Sequence, residues 1–414
     1  MLRPLARSAA LLTLLGGILV AAHPAAATPS CRDSQVPLTV EEQRLTRTLG
    51  SDPAPVPARL IARGGLTGHV TAFERSLCAL RNVAAAERAL DTQGRALWET
   101  AVARGGDDRP LYWARVTMTR ALRQWTPGFT VDRAALERRL ERASRGITST
   151  DFADVPGVKK LFVSGFDPFV LDAEIRRSNP SGVNALALDG KWLTVGGERV
   201  QIQAAMFPVR YADFDHGMVE EAFRPHIWIA NSPQRADLVA TVSQGRPGQF
   251  DLEVSNGRRR SVTSIGDNNN IWGGGSLTEP RTFPGVMRGN EFVPSTLPVD
   301  QMKTAAGRFP VLVNRSVTEI PAGQTAPVFR PDGPTPGSIA VNGGGGGYLS
   351  NEIAYRATLL RSTFSGPAGG HVHTPVLDFA ADNTTELSDP TFERNRADII
   401  AQLRAILLAG VAAV

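Results

Sequence analysis

Cysteine is almost missing from this chain of 414 residues: only Cys31 and Cys78 occur. No thiol lies beyond Cys78, so the C-terminal half has no cysteine to serve as nucleophile or metal ligand. Lysine is nearly as scarce. Lys159, Lys160, Lys191 and Lys303 stand alone among 45 basic residues, and the arginines are interspersed with acids in a chain of net charge +5. Apart from short clusters such as Arg258-Arg259-Arg260 there is no basic stripe, and nucleic acid is excluded as an expected partner. No apolar run reaches the roughly 20 residues that cross a bilayer. Common hydrolase signatures are absent as well: there is no Gly-x-Ser-x-Gly elbow, no Ser-x-x-Lys and no His-Glu-x-x-His.

The N-terminus carries Arg3 and Arg7, an apolar run from Ala9 to Ala22, and the small residues Ala25-Ala26-Ala27. This is the pattern of a secretory signal peptide over residues 1–27, cleaved after Ala27. An uncleaved membrane anchor is the alternative. Cleavage leaves a secreted, extracellular protein with no stable membrane insertion. In an oxidising compartment Cys31 and Cys78 are expected to pair, against the alternative of two buried thiols, and closing that loop would stabilise the fold by roughly 3–4 kcal/mol.

The mature chain exceeds what one core usually serves, and its texture changes along its length. From Val40 to Ile147 alanine, leucine and arginine dominate, with breaks at Pro53, Gly64-Gly65, Gly105-Gly106 and Pro127. Phe73, Leu77, Leu80, Val83, Leu90 and Leu97 follow a helical period through 70–103, and Leu136 and Leu140 repeat it. An all-α domain over 28–150 follows from this, with no chemistry visible in it. Beyond residue 151 short apolar runs read as buried strands: Lys160 to Gly165, Ile227-Trp228-Ile229, Leu238 to Val242 and Ser338 to Val341. Helical stretches at Tyr211 to Phe223 and Asn351 to Arg361 alternate with them. Residues 151–414 should therefore form an α/β domain, a three-layer α/β/α sandwich with a mostly parallel mixed sheet. Its ligand site should lie at the C-terminal strand ends. The glycine- and asparagine-rich stretch from Asp267 to Asn290 reads as a long surface loop.

His371 and His373 would face the same side of a strand, as metal ligands can, but no third ligand at fixed spacing accompanies them. No metal and no cofactor is expected. A more informative pattern is a series of short segments in one order: Gly165-Phe166-Asp167-Pro168-Phe169, Asn179-Pro180-Ser181, Phe207-Pro208-Val209, Ser243-Gln244-Gly245-Arg246, Glu253-Val254, Ser295-Thr296-Leu297-Pro298 and His373-Thr374-Pro375. Together they resemble the pyroglutamyl peptidases, cysteine peptidases with a phosphorylase/hydrolase-like α/β fold. The matching nucleophile segment is Asn342, a run of glycines, then Tyr348-Leu349-Ser350-Asn351-Glu352, with Tyr355 following. The resemblance puts Ser350 on the cysteine and Glu352 on the histidine that follows it, with one extra residue before the nucleophile. The family's arginine ahead of its Ile-Pro-Asp-Asn step appears here as Ser264.

The resemblance implies a catalytic set of Ser350 as nucleophile, His373 as general base and Glu253 orienting the imidazole. It also implies a slot for a flat lactam ring from Phe166, Phe169, Gln244, Ile265, Tyr348 and Leu349. The residues by themselves leave alternatives open. Serine at a helix start is a favoured N-cap, and phenylalanines after a strand pack cores. The implied function is removal of N-terminal pyroglutamate, or cleavage of a related small amide, with a small peptide as partner. Because a hydroxyl ionises far less readily than a thiol, a catalytically inactive, peptide- or cell-wall-binding member is the alternative.

Overall fold

The computed structural model describes residues 31–286 and 289–414, so the expected signal peptide lies outside the described residues. After a short helical turn at Val40–Gln43 come five longer helices: α1 (Val56–Arg63), α2 (Thr67–Ala79), α3 (Val83–Arg104), α4 (Arg109–Gln124) and α5 (Arg133–Ala143). The apolar period expected to run unbroken through 70–103 is interrupted, because Leu80 turns extended and the Asn82 side chain accepts from Ala85 N to cap a new helix. Cys31 and Cys78 form a disulfide with a Cα–Cα distance of 5.5 Å. Among the described residues no helix is long and apolar enough to cross a membrane.

The second part is built on a seven-stranded sheet: β1 (Val158–Phe166), β2 (Trp192–Val195), β3 (Glu198–Phe207), β4 (Leu238–Gln244), β5 (Phe250–Glu253), β6 (Val311–Asn314) and β7 (Ala368–Thr374). The strand order is β6-β5-β7-β4-β1-β3-β2. Pairs β1/β3, β1/β4, β7/β4 and β6/β5 are parallel, whereas β7/β5 and β2/β3 are antiparallel. Alternation along β1 sends Leu161 and Val163 to one core, with α6 (Pro180–Leu188) and α9 (Pro390–Val411). Phe162 and Phe166 go to the other, with α7 (Met218–Ile227) and α8 (Leu349–Thr363). This is the expected α/β/α sandwich with a mostly parallel sheet, preceded by helices.

Two of the expected strands have another fate. Ile227 ends α7, and Trp228 and Ile229 are 46% and 64% exposed. A three-residue apolar run cannot distinguish a strand from the last turn of an amphipathic helix. Ile339–Asn342 is a strand, but it belongs to a separate antiparallel sheet with Val317–Ile320 and Val328–Arg330. The helical core also reaches across the texture change: Leu171, Ile175, Leu186, Met206 and Leu387 pack in the same cluster as Leu90, Leu97, Trp98 and Trp113.

Candidate active site

The tip of β7 holds His373, and β5 runs antiparallel beside it carrying Glu253. His373 Nδ1 lies 2.8 Å from Glu253 Oε1. A carboxylate only accepts, so Nδ1 carries a proton, and the tautomer this fixes for a neutral ring has its lone pair on Nε2. The other carboxylate oxygen accepts from Asn314 Nδ2 at 2.7 Å, the residue opposite Glu253 on the parallel neighbour β6. Glu253 is almost wholly buried, and burial pushes its pKa up, opposed by the bonds from His373 and Asn314. Two glycines make room for this pair. A Cβ on Gly344 would sit 2.2 Å from Glu253 Oε2, and one on Gly245 would sit 2.5 Å from His373 Cβ.

The glycine loop leads into α8, where Ser350 is the second helical residue. Tyr348, the N-cap, makes no side-chain cap bond. The first amide to find a helical acceptor is that of Glu352, on Tyr348 O at 3.1 Å. The amides of Leu349, Ser350 and Asn351 therefore precede the helical ladder, at the positive end of its dipole. Asn351 fixes the helix start by bonding both backbone groups of Gly257, at 2.9 and 2.8 Å. Glu352, where the resemblance places a histidine, turns away into a buried ion cluster with Arg260 and Arg356. The Ser350 hydroxyl donates to Gly345 O at 2.8 Å, and among the described residues no hydrogen bond joins it to His373.

Ser350, Phe166, Phe169, Gln244, Tyr348 and Leu349 bound one cavity of about 40 Å³. A single water centre takes up ~10–15 Å³, so the space suits a small ring rather than a long chain. Asn179, Val209 and Ser243 complete the wall. Ile265 does not take part. Its neighbour Gly266 instead offers a carbonyl to the Tyr348 hydroxyl at 2.8 Å, so the backbone beside Ile265, not its side chain, sets the ring in place. His373 and Glu253 are not among the residues that bound the cavity; His373 pairs in the sheet with Ser243 of its wall, and Glu253 lies against Gly344 of the glycine loop that leads to Ser350. After Phe169, Val170 holds φ 58°, a conformation that costs a β-branched residue about 1–3 kcal/mol and fixes the direction of the loop. Larger clefts of about 260 and 750 Å³ lie elsewhere, but neither joins a nucleophile to a paired base. Among the described residues no His, Cys, Asp or Glu cluster is placed to hold a metal.

Asn314, Asn179, Val209 and Ser243 were not assigned to the site from the sequence. Asn314 gives no local signal, being one asparagine at the end of a short edge strand. Asn179, Val209 and Ser243 sit inside the family-like segments, but their place at the cavity is not apparent until the loops meet.

Comparison with known proteins gives two family matches, to the PA0049 N-terminal domain over residues 22–142 and to the PA0049 C-terminal domain over residues 160–290 and 307–378. An uncharacterized protein of Pseudomonas aeruginosa, PA0049, is 32% identical over 530 aligned residues, covering 98% of this chain and 95% of its own length. Among solved structures, pyrrolidone carboxyl peptidase from Pyrococcus furiosus is 17% identical and covers 61% of this chain and 99% of its own, with a TM-score of 0.39. Pyroglutamyl peptidase I from Bacillus amyloliquefaciens is 18% identical over 61% of this chain and 97% of its own, with a TM-score of 0.37. The match along nearly the whole of both chains makes this protein a member of the PA0049 family.

Proposed function

We propose that the protein is a serine-type hydrolase acting outside the cytoplasm on N-terminal pyroglutamyl groups or a closely related cyclic amide. The observation that carries this reading is the Glu253–His373 pair at 2.8 Å, with Glu253 against the glycine loop that runs into an uncapped helix start bearing Ser350 at the wall of a small cavity. In the reaction, Ser350 Oγ rotates from Gly345 O toward His373 Nε2 and attacks the amide carbon while Nε2 takes its proton. The oxyanion faces the leading amides of α8, whose dipole favours negative charge. Glu253 stabilises the imidazolium and fixes its tautomer. The carbon–nitrogen bond then breaks, His373 returns the proton to the leaving amine, and water hydrolyses the Ser350 ester by the same steps in reverse. Phe166, Phe169 and Tyr348 supply flat apolar walls for a five-membered ring, and Gln244 supplies an amide to its polar edge. The leader-like N-terminus and the Cys31–Cys78 disulfide support an exported protein.

One observation favours a second reading, a binding protein without turnover: the Ser350 hydroxyl is engaged with Gly345 O and not with His373. Hydrolysis of a pyroglutamyl anilide, with Ser350→Ala as control, separates the two. Release of anilide by the native chain and not by the variant supports catalysis. Equal binding with no release by either supports the second reading.

A further inference from the structure

The mechanism above leaves three buried polar side chains beside the cavity unused. Thr241 and Ser243 lie two residues apart on β4, and the register sets Thr241 opposite His371 and Ser243 opposite His373. His371 is fully buried, and both of its ring nitrogens are engaged: Nδ1 at 2.8 Å from Thr241 Oγ1, and Nε2 at 2.8 Å from Ser243 Oγ. The Thr241 hydroxyl also lies 3.1 Å from Gly370 O, an atom that can only accept. A threonine hydroxyl has one proton. If it goes to Gly370 O, Thr241 must accept from His371 Nδ1–H, and Nε2 must accept from the Ser243 hydroxyl. All three contacts are then hydrogen bonds. The opposite tautomer, with Nε2–H, turns the Thr241 proton toward Nδ1 and leaves the Gly370 contact without one. In a buried place the arrangement with the extra bond wins. Burial, and after it the neighbouring His373, hold the His371 ring well below the usual histidine range, so the neutral form that this argument needs is the one present.

Ser243 thus spends its only proton on His371 and keeps only lone pairs for the cavity it helps to bound. We propose that Ser243 is a hydrogen-bond acceptor of fixed polarity that selects ligands by an N–H group, the lactam N–H of a pyroglutamyl ring, with His371 and Thr241 as the positioning residues that fix its polarity. The proposal rests on the pyroglutamyl reading of this same site. Gln244 cannot make the distinction alone, because its amide can rotate to offer either a donor or an acceptor. A ring carrying oxygen in place of N–H would set lone pair against lone pair. Sites built to bond a substrate N–H reject analogues lacking it more strongly than an apolar pocket rejects a missing methylene.

The test compares a pyroglutamyl anilide with its γ-lactone counterpart, identical but for ring oxygen in place of N–H. Hydrolysis is measured for the full chain, and binding of both compounds is measured in the Ser350→Ala variant. The native chain should prefer the lactam by about ten- to a hundredfold, the range of one well-placed hydrogen bond. In Ser243→Ala the preference should collapse to near unity. In Thr241→Val, which leaves Ser243 in place but removes the acceptor for Nδ1–H, it should weaken in the same direction. A merely structural role would lower activity on both compounds and leave their ratio unchanged. If the lactam preference survives in Ser243→Ala, this inference falls while the proposed function stands. If neither compound is bound or cleaved by the native chain, the pyroglutamyl reading falls and takes the lactam assignment with it. Nitrogen-15 chemical shifts of the His371 ring give a readout independent of turnover: a protonated Nδ1 beside a bare Nε2 supports the proposal, and a protonated Nε2 overturns it.

Discussion

Replacing Asp108 by asparagine should stabilise the protein at neutral pH and change little near pH 4. Asp108 is the residue ahead of α4, completely buried, and its side chain does not cap its own helix. It reaches instead to the segment around the cavity, accepting from Asn179 N at 2.8 Å and from the Ser178 hydroxyl. Burial first, and the neighbouring Asp107 carboxylate second, push its pKa up from 3.8 to about 7. Between those values the native chain keeps a proton that the unfolded chain has released. Stability from this group is therefore complete below the unfolded pKa and is lost as pH rises toward the folded one. The difference 7 − 3.8 at ~1.4 kcal/mol per unit gives a loss on the order of 4 kcal/mol across the window. Asparagine reproduces the protonated acid, since its oxygen accepts from Asn179 N and its amide donates to the Ser178 hydroxyl, which can rotate to receive it. Urea unfolding of both proteins at pH 4.5, 6 and 7.5, with unchanged m, measures the effect. The variant's advantage should widen with pH by a few kcal/mol. Asp189, pushed up to about 6 mainly by burial, titrates in both proteins and cancels in the difference. An advantage that is flat with pH, or one that reverses, would show that Asp108 is ionised in the fold and refute the reasoning.

Three further outcomes follow from the same geometry. Ser350→Ala should lower amidase activity by about a thousandfold or more, and Ser350→Cys should raise it above the native level if the site keeps a geometry suited to a thiolate–imidazolium pair, both read from anilide release. Gly344→Ala places a methyl 2.2 Å from Glu253 Oε2, so it should displace the carboxylate from His373 and cost at least about a hundredfold in kcat, with a near-native circular dichroism spectrum. Reducing the Cys31–Cys78 disulfide, which spans 47 residues, should lower unfolding stability by about 4 kcal/mol, measured by denaturant titration with and without reductant.

What could be read in the sequence was whatever depends on neighbours along the chain. The run from Leu161 to Val163, the helical stretch from Asn351 to Arg361 and the period through Phe73 and Leu77 carry their own secondary structure, and β1, α8 and α2 formed there. The cavity residues lay in segments whose order resembled a known family, which is why Phe166, Phe169, Gln244, Tyr348, Leu349 and Ser350 could be named and do meet. What could not be read depends on pairing at a distance. Asn314 reaches Glu253 because β6 lies parallel beside β5, and nothing local to Asn314 encodes that register. The locked orientation of Ser243 depends on a histidine well over a hundred residues away. The mistaken strand at Ile227 failed for a local reason: the helical stretch holding Met218, Val219 and Phe223 was ended at Phe223, and its last turn, which continues past Pro225 to Ile227, was taken for a strand.

The largest gap was the helical segment, which shows no chemistry of its own and yet holds the cavity loops from behind. Asp167, inside the segment that supplies Phe166 and Phe169, has no exposure and is paired with Arg115 of α4 and with Arg145, the latter at 2.7 Å. A buried carboxylate left alone would be far more costly than one so paired, so the position of this loop is tied to the helices. Asp108 holds Asn179 by a hydrogen bond rather than by an ion pair, and Asn268, which donates to Pro168 O at 2.9 Å, is itself held by Arg44. The apolar side gives the same answer, because Leu171, Ile175 and Met206 complete the helical core. Loops that border a binding site are ordinarily among the less stable parts of a fold. Here the anchors are buried polar groups, Asp167 an ion among them, whose partners lie in another part of the chain, so opening the cavity by local fraying would leave buried donors, acceptors and the Asp167 charge unpaired. The helices thereby act on the site through position alone, and the absence of chemical signatures among them is what that role would leave in a sequence.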